Sequence, residues 1–265
     1  MPETQEEMSF SNLYESVKIA INSSDEKSLS ELLSKVESYE EKFLLNYSNR
    51  KDEGVYFTQK RISDFIISQT LIELLKNKGV ELNSLGEIKI GKNLPANTLR
   101  NMTFCDPACG SGIFLLSLID VLFDLIEKSS QKVNENELKI QILINICGYD
   151  INIISIKLSI LKILKRLSIE EICNLKEILP ILERNISKRN VIIKPPSIKF
   201  DMIIGNPPYG NILDKSLKNY LKERNYFTKD IYCVFLALAI QWSKGIIGFL
   251  IPKSFLLRQG YLKFR

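Results

Sequence analysis

The sharpest chemical signal in the chain is the segment Phe200-Asp201-Met202-Ile203-Ile204-Gly205-Asn206-Pro207-Pro208-Tyr209-Gly210, in which an apolar strand runs straight into an amide, two prolines and a phenol. The prolines fix φ and remove two N–H donors, so carbonyls of the turn are left to face a ligand as acceptors. Asn206 adds a side-chain oxygen and Tyr209 a flat face for stacking, an arrangement that suits a planar substrate bearing an amino group. A second segment, Phe104-Cys105-Asp106-Pro107-Ala108-Cys109-Gly110-Ser111-Gly112-Ile113-Phe114, follows a buried strand and opens a helix. Open α/β sheets bind ligands at such places, outside the carboxyl ends of their strands. Gly110 and Gly112 permit close backbone approach and positive φ, although a tight turn with no ligand would use the same glycines. A third, Cys147-Gly148-Tyr149-Asp150, ends a strand in an acid about forty positions later, placed either to accept from two ribose hydroxyls or to cap the following helix.

Composition narrows what these segments can do. Of 265 residues 45% are apolar and 25% charged, the balance of a globular chain with a sizeable core, which excludes disordered and collagen-like structure. Lys and Arg number 36 against 31 Asp and Glu, a formal charge of +5 that favours an anionic partner without naming one. Histidine is absent, which removes the serine–histidine and cysteine–histidine nucleophile systems and nearly all catalytic zinc sites. Cys105, Cys109, Cys147, Cys173 and Cys233 form an odd set with no C-x-x-C pair and read as reduced thiols of a cytoplasmic protein. The acidic start, residues 1–10, lacks the pattern of a secretory signal, and the longest apolar stretch, 231–240, falls short of the ~20 residues that span a bilayer, so no membrane is expected. No zinc, calcium or phosphate-loop spacing occurs, and no metal is expected.

Elements of the right period stand ready to position the three segments. Leu29, Leu32, Leu33, Val36, Tyr39 and Phe43 recur at three- and four-residue steps and predict a helix over 25–45, capped by Ser24 or Asp25, with a weaker helical pattern at Leu13, Val17, Ala20 and Ile21. The polar stretch 46–54 reads as a linker, 62–75 as a helix, and 79–101 as a connection punctuated by Gly and Pro. Alternation then begins: strand 102–106, helix 113–128, strand 144–149, helices 151–167 and 170–182, strands 190–194 and 200–205, helix 231–242 and strand 246–251. This predicts a parallel α/β sheet with the chemical segments at its strand ends.

Together, DPACGSGIF, GYDI and DMIIGNPPYG resemble motifs I, II and IV of the S-adenosylmethionine-dependent N6-adenine DNA methyltransferases. Gly54-Val55-Tyr56-Phe57-Thr58 resembles motif X and lies upstream of motif I, the gamma order of type I and many type II restriction-modification methylases. Asp230-Ile231-Tyr232-Cys233-Val234-Phe235 resembles motif V, and Gly248-Phe249-Leu250-Ile251-Pro252-Lys253-Ser254-Phe255 motif VI, so the resemblance covers residues 54–265. It implies a Rossmann-like class I methyltransferase fold, α/β with a mostly parallel sheet and helices on both faces, preceded by a short helical region: a lead-in over 1–50 and a catalytic domain over 51–265. Asp106 and Gly110 would contact the methionine part of the cofactor, S-adenosylmethionine, with Ala108 and Gly112 in the same loop. Asp150, with Ile151 beside it, would hold the ribose hydroxyls, Phe235 the adenine ring, and Thr58 a wall of the pocket, and Asn190 would take the motif III position. The catalytic set would be Asn206, Pro207, Pro208 and Tyr209: Asn206 and the Pro207 carbonyl accept both hydrogens of the target N6, and Tyr209 stacks on the base. An aromatic amine is a poor nucleophile because its lone pair is delocalised, and two acceptors at the nitrogen pull it towards tetrahedral geometry, so neither a histidine nor a covalent intermediate is needed. The target base would be flipped out of the duplex to reach such a pocket.

The implied partner is double-stranded DNA, together with a specificity subunit, a separate recognition domain or a cognate restriction endonuclease. Thr58 is followed by Gln59 where the family usually has proline. The family continues past motif VI with two further strands and a target-recognition domain, so a chain ending at Arg265 is expected to be truncated. About fifty residues precede motif X, little room for a fused nuclease. Lys215, Lys218, Lys222, Arg224 and Lys229, interleaved with Tyr220, Tyr226 and Phe227, read either as a phosphate-contacting loop or as a solvated helix face. Two other functions fit the same residues: N-methylation of a protein glutamine or an RNA base, and a non-catalytic subunit that binds cofactor or a partner.

Overall fold

The computed structural model describes residues 5–48, 58–77, 96–127, 134–169, 175–210, 215–223 and 230–257. The motif X residues Gly54 to Phe57 lie outside them, as do Cys173, Arg224, Tyr226, Phe227 and Lys229. At the centre is a parallel sheet of five strands, β1 (Phe104–Asp106), β2 (Ile146–Asp150), β3 (Ile186–Lys188), β4 (Phe200–Gly205) and β5 (Ser243–Phe249), in the order β3-β2-β1-β4-β5. The order reverses between β1 and β4, so the crevice above these two strands is the topological switch point of the sheet.

Period-two alternation sends neighbouring strand residues to opposite faces. Phe104, Met202, Ile204 and Ile246 belong to one apolar cluster, and Cys105, Ile203 and Ile247 to the other. The first is covered by α4 (Lys60–Asn77), α6 (Ile113–Glu127), α8 (Ile153–Ile169) and α9 (Leu175–Asn185), and the second chiefly by α11 (Ile231–Trp242) and α10 (Lys215–Glu223). This is the expected Rossmann-like α/β fold with helices on both faces. Phe200 breaks the alternation, joining the Ile203 cluster although it has the parity of Met202. The cause is a bulge: Asp201 and Met202 N–H both donate to the Thr103 carbonyl, at 2.9 and 3.2 Å, and the pairing with β5 shifts between Phe200 and Met202. The Asp201 carboxylate secures the bend by accepting from Thr103 N–H and Oγ1, both at 2.9 Å, and by pairing with Lys244 at 3.1 Å.

The predicted helix over 25–45 is two helices, α2 (Glu26–Ser34) and α3 (Val36–Ser48), divided at Lys35. Lys35 N–H donates to the Leu32 carbonyl three residues back, and this tightened turn keeps Leu33 and Val36 both buried. Asp25 is the N-cap of α2, its carboxylate accepting from Ser28 N–H at 3.1 Å. The weaker upstream pattern is a full helix, α1 (Gln5–Ser23), and α5 (Ala96–Arg100) lies within the expected connection 79–101. Phe10, Leu13, Val17, Leu33 and Val36 share the core formed by α6 and α8, and the Lys18–Glu183 and Lys165–Glu37 ion pairs, each 2.7 Å, join α1 to α9 and α3 to α8.

Three expectations are corrected. A helix that the sequence reading lacked, α7 (Glu135–Ile144), starts at Asn134, whose side chain accepts from Glu137 N–H at 3.2 Å. The third strand is 186–188, not 190–194, because the chain passes from α9 straight into β3 while Val191 and Ile192 bury themselves in a turn. Helix α9 continues through Pro180 to Asn185, beyond the expected end at 182. A short helix, α12 (Ser254–Leu257), follows β5. No helix among the described residues is long and apolar enough to cross a membrane.

Candidate active site at the switch point

Asp106 and Asn206 stand at the ends of neighbouring strands. Asp106 is the last residue of β1 and Asn206 follows the last residue of β4. Gly205 lets them approach: its φ is +146°, and a Cβ there would lie 2.6 Å from Asp106 Oδ1, so only glycine allows the carboxylate to rest against this backbone. Asp106 also accepts from Ala108 N–H at 3.0 Å. Burial pushes its carboxyl up to about 8, opposed by the Ala108 N–H and reinforced by the nearby charge of Asp150.

The loop from β1 to α6 is fixed by its neighbours. Cys109 N–H donates to the Tyr149 carbonyl at 2.9 Å and Gly110 N–H to Asp150 Oδ2 at 3.0 Å. The two glycines are not equivalent. A Cβ on Gly112 (φ +84°) would fall 2.2 Å from Ser159 Oγ of α8, whereas a Cβ on Gly110 (φ +52°) would meet none of the described residues within 4 Å. Gly112 therefore serves the close approach of loop and helix, and Gly110 borders open space. Asp150 is not the cap of α8: that part is taken by Asn152, whose Oδ1 accepts from Ile154 and Ser155 N–H at 2.8 and 3.1 Å. Asp150 instead accepts from Gly110 and Asn152 N–H, and burial raises its carboxyl. Beside it Ile151 is 67% exposed, a large apolar side chain held open at a strand end. Asn190, two residues past β3, uses its side-chain oxygen to accept from Ile192 N–H at 3.1 Å. Phe235 is buried on α11 in one cluster with Ala108 and Phe249.

On the β4 side, Asn206 Nδ2 donates to Thr58 Oγ1 at 3.0 Å. The Tyr209 hydroxyl contacts both Asn206 Oδ1 and the Leu250 carbonyl, the latter at 2.9 Å, and has one proton to donate between them. Its ring stands edge-on to Tyr232 with centroids 6.1 Å apart. Pro207 is buried and Pro208 half-buried. Burial pushes the Cys105 and Cys109 thiols up, away from the thiolate form.

The structure thus gathers Thr58, Asn206 and Tyr209 on one side of the crevice and Asp106, Gly110 and Asp150 on the other. Thr58, expected in the cofactor wall, makes its hydrogen bond to the amide of Asn206. Sequence reasoning did not single out Gly205, Asn152, the Leu250 carbonyl or Glu40, which accepts from the Ser111 hydroxyl at 3.1 Å. Gly205 was legible in principle as the glycine before N-P-P-Y; Glu40 and Leu250 carry no local signal.

The sequence model of the family described as Eco57I restriction-modification methylase matches residues 144–265. The Type II methyltransferase M.VspI of Vibrio sp. (strain 343) is 28% identical over 224 residues, which are 82% of this chain and 41% of that protein. The Type II restriction enzyme and methyltransferase RM.Eco57I of Escherichia coli is 28% identical over 251 residues, 77% of this chain and 24% of that protein. The chain thus spans less than half the length of either relative. Among solved structures, the ATP-dependent Type ISP restriction-modification enzyme LlaBIII bound to DNA covers 82% of this chain with a TM-score of 0.51 at 16% identity, a likeness of fold extending over 16% of that chain. On these grounds the chain is similar over residues 144–265 to the Eco57I restriction-modification methylases, and its fold is Rossmann-like α/β.

Proposed function

We propose that this chain transfers the methyl group of S-adenosylmethionine to N6 of an adenine turned out of duplex DNA, as the cytoplasmic modification activity of a restriction-modification system. The observation that carries the reading is the meeting of Asp106 and the Asn206–Tyr209 turn across Gly205 at the switch point, which brings an acid-lined half-site and an acceptor-lined half-site together. The first half-site fits the cofactor chemically. It offers two buried acids, Asp106 and Asp150, whose ionised forms burial disfavours and a cationic group would restore, an open face at Gly110 and an exposed apolar side chain at Ile151, which suit a ligand with a cationic end, ribose hydroxyls and a flat ring. When bound, S-adenosylmethionine supplies an electrophilic methyl group on a positively charged sulfur.

The chain's own residues would do the rest. Asn206 Oδ1 and the Pro207 carbonyl accept the two hydrogens of the adenine amine and draw its nitrogen towards tetrahedral geometry, freeing the lone pair. The nitrogen then sheds one proton, which passes through these acceptors to solvent, because a neutral carbonyl oxygen is too weak a base to keep it. Thr58 keeps the Asn206 amide turned so that its oxygen faces the crevice. The Tyr209 hydroxyl leaves that oxygen as the amine arrives, remains anchored on the Leu250 carbonyl and offers its ring to the base. Recognition of the DNA sequence would fall to a further domain or subunit.

To test this, the purified chain is incubated with S-adenosylmethionine and unmethylated DNA, and the digested DNA is searched for N6-methyladenine by mass spectrometry. The wild type is expected to form it. Asn206→Ala is expected to form none while binding cofactor within a few fold of wild type; transfer at the wild-type rate by that variant refutes the assignment.

A further inference from the structure

The glycine loop is held from three directions, one for each of residues 110–112. Gly110 N–H is tied to Asp150 at the end of β2, and Gly112 lies against Ser159 of α8. Neither glycine has a side chain, so Ser111 is the only one of the three that can anchor the loop through a side-chain bond. Its hydroxyl donates to Glu40 Oε1 at 3.1 Å, and Glu40 belongs to α3, 71 residues upstream. The same carboxylate oxygen accepts from Lys162 Nζ of α8 at 2.7 Å. The two charged side chains are only 14% and 19% exposed, unlike the freely solvated pairs that contribute little. Lys162 balances the charge of Glu40 and fixes the direction in which it faces the loop. A charge-assisted bond in such a setting restricts a hydroxyl more than a neutral one does.

We propose that Glu40 is a positioning residue for the cofactor: through Ser111 it holds the backbone around Gly110 in the shape that receives S-adenosylmethionine. The helices before residue 50 are then part of the cofactor site and not a separate lead-in to it. The proposal rests on the cofactor reading given above.

The test is a calorimetric titration of the full chain with S-adenosylmethionine and with its demethylated product, alongside thermal unfolding of each variant. Glu40→Ala and Ser111→Ala should each weaken binding about tenfold, the loss of a hydrogen bond to a charged group. The double variant should bind no more than about twofold weaker than either single one, since both remove one interaction. Glu40→Gln keeps an acceptor oxygen for Ser111 and should stay within about threefold of wild type. Ser111→Ala leaves the Glu40–Lys162 pair intact and so tests the idea even if Glu40→Ala unfolds. A lowered unfolding midpoint with unchanged affinity in Glu40→Ala, or unchanged affinity in Ser111→Ala, overturns the proposal while leaving the cofactor reading in place. A wild-type chain that binds neither compound overturns the cofactor reading and this proposal with it.

Discussion

Alanine at Gly110 and at Gly112 separates binding from packing, because the two glycines differ in what a methyl group would meet. Both have positive φ, and placing an L-residue in that region costs about 1–2 kcal/mol. At Gly110 no further cost arises from the described residues, none of which the added carbon meets within 4 Å. At Gly112 the carbon would lie 2.2 Å from Ser159 Oγ, 2.9 Å from its Cβ and 3.2 Å from its Cα. The hydroxyl can turn aside, but the Cβ and the helix backbone cannot, so loop and α8 must separate at a further cost of about 1–3 kcal/mol. The expected loss is about 1–2 kcal/mol for Gly110→Ala and about 2–5 kcal/mol for Gly112→Ala, or falls in unfolding midpoint of roughly 2–6 °C and roughly 5–15 °C. Affinity should run the other way. Gly110→Ala puts a methyl group on the open face and should weaken S-adenosylmethionine at least about tenfold, measured by calorimetry well below the midpoint. Gly112→Ala unfolding within about 2 °C of wild type would refute the account of the α8 contact, and undiminished binding by Gly110→Ala would refute the assignment of the open face.

Two other substitutions probe the two half-sites. Thr58→Val removes the acceptor for Asn206 Nδ2 and should lower kcat for methyl transfer about tenfold with cofactor affinity within about twofold, while Thr58→Ser retains most of the rate; an affinity loss without a kcat loss would place Thr58 in the cofactor wall instead. Asp106 has its carboxyl pushed up to about 8 by burial, whereas an aspartate in the unfolded chain titrates near ~3.9. Between these values the folded protein holds a proton that the unfolded chain has released, so this group's contribution is fully present below the lower value and is lost as pH rises through the upper one. Asp106→Asn should therefore gain stability over wild type as pH rises from about 5 to about 9 in urea titrations, and an equal difference at both ends would contradict the burial argument.

The parts of the fold that the sequence disclosed are those where one local pattern had one structural meaning. The short apolar run at 200–205, bounded by the motif turn, read as a buried strand, and α11 and α6 followed from long apolar helical periods. Failures came where two readings shared one pattern. In α7 the alternation Leu138-Lys139-Ile140-Gln141-Ile142 hides the helical period, and Lys139 is buried against Phe123, its Nζ 5.0 Å from the ring centre. Val191-Ile192-Ile193 has the composition of a strand but lies in a turn closed by Asn190, because β3 has already paired with β2 at 186–188. Among the candidate site residues, Asp106, Asp150 and Asn206 stood out because each sits at a strand end, and Gly110 because it lies in the glycine loop after one. Their supporting contacts were not: Glu40, which carried no signal, reaches Ser111, and Thr58, expected elsewhere in the pocket, reaches Asn206, across 71 and 148 positions over which residue spacing carries no information.

The pairing of β1 with β4 also sets the order in which the molecule can assemble. β2 and β3, with their helices, are made before β4, and Phe104 pairs with Met202 about a hundred residues later. Loop closure over such a span is slow relative to local pairing, and at ribosomal rates of roughly 5–20 residues per second about 5–20 s separate the synthesis of β1 from that of β4. Until Gly205 emerges, Asp106 stands at the end of an unfinished sheet, without the β4 backbone that packs against its carboxylate. The crevice thus cannot form until β4 has been made, however early β1 to β3 pair.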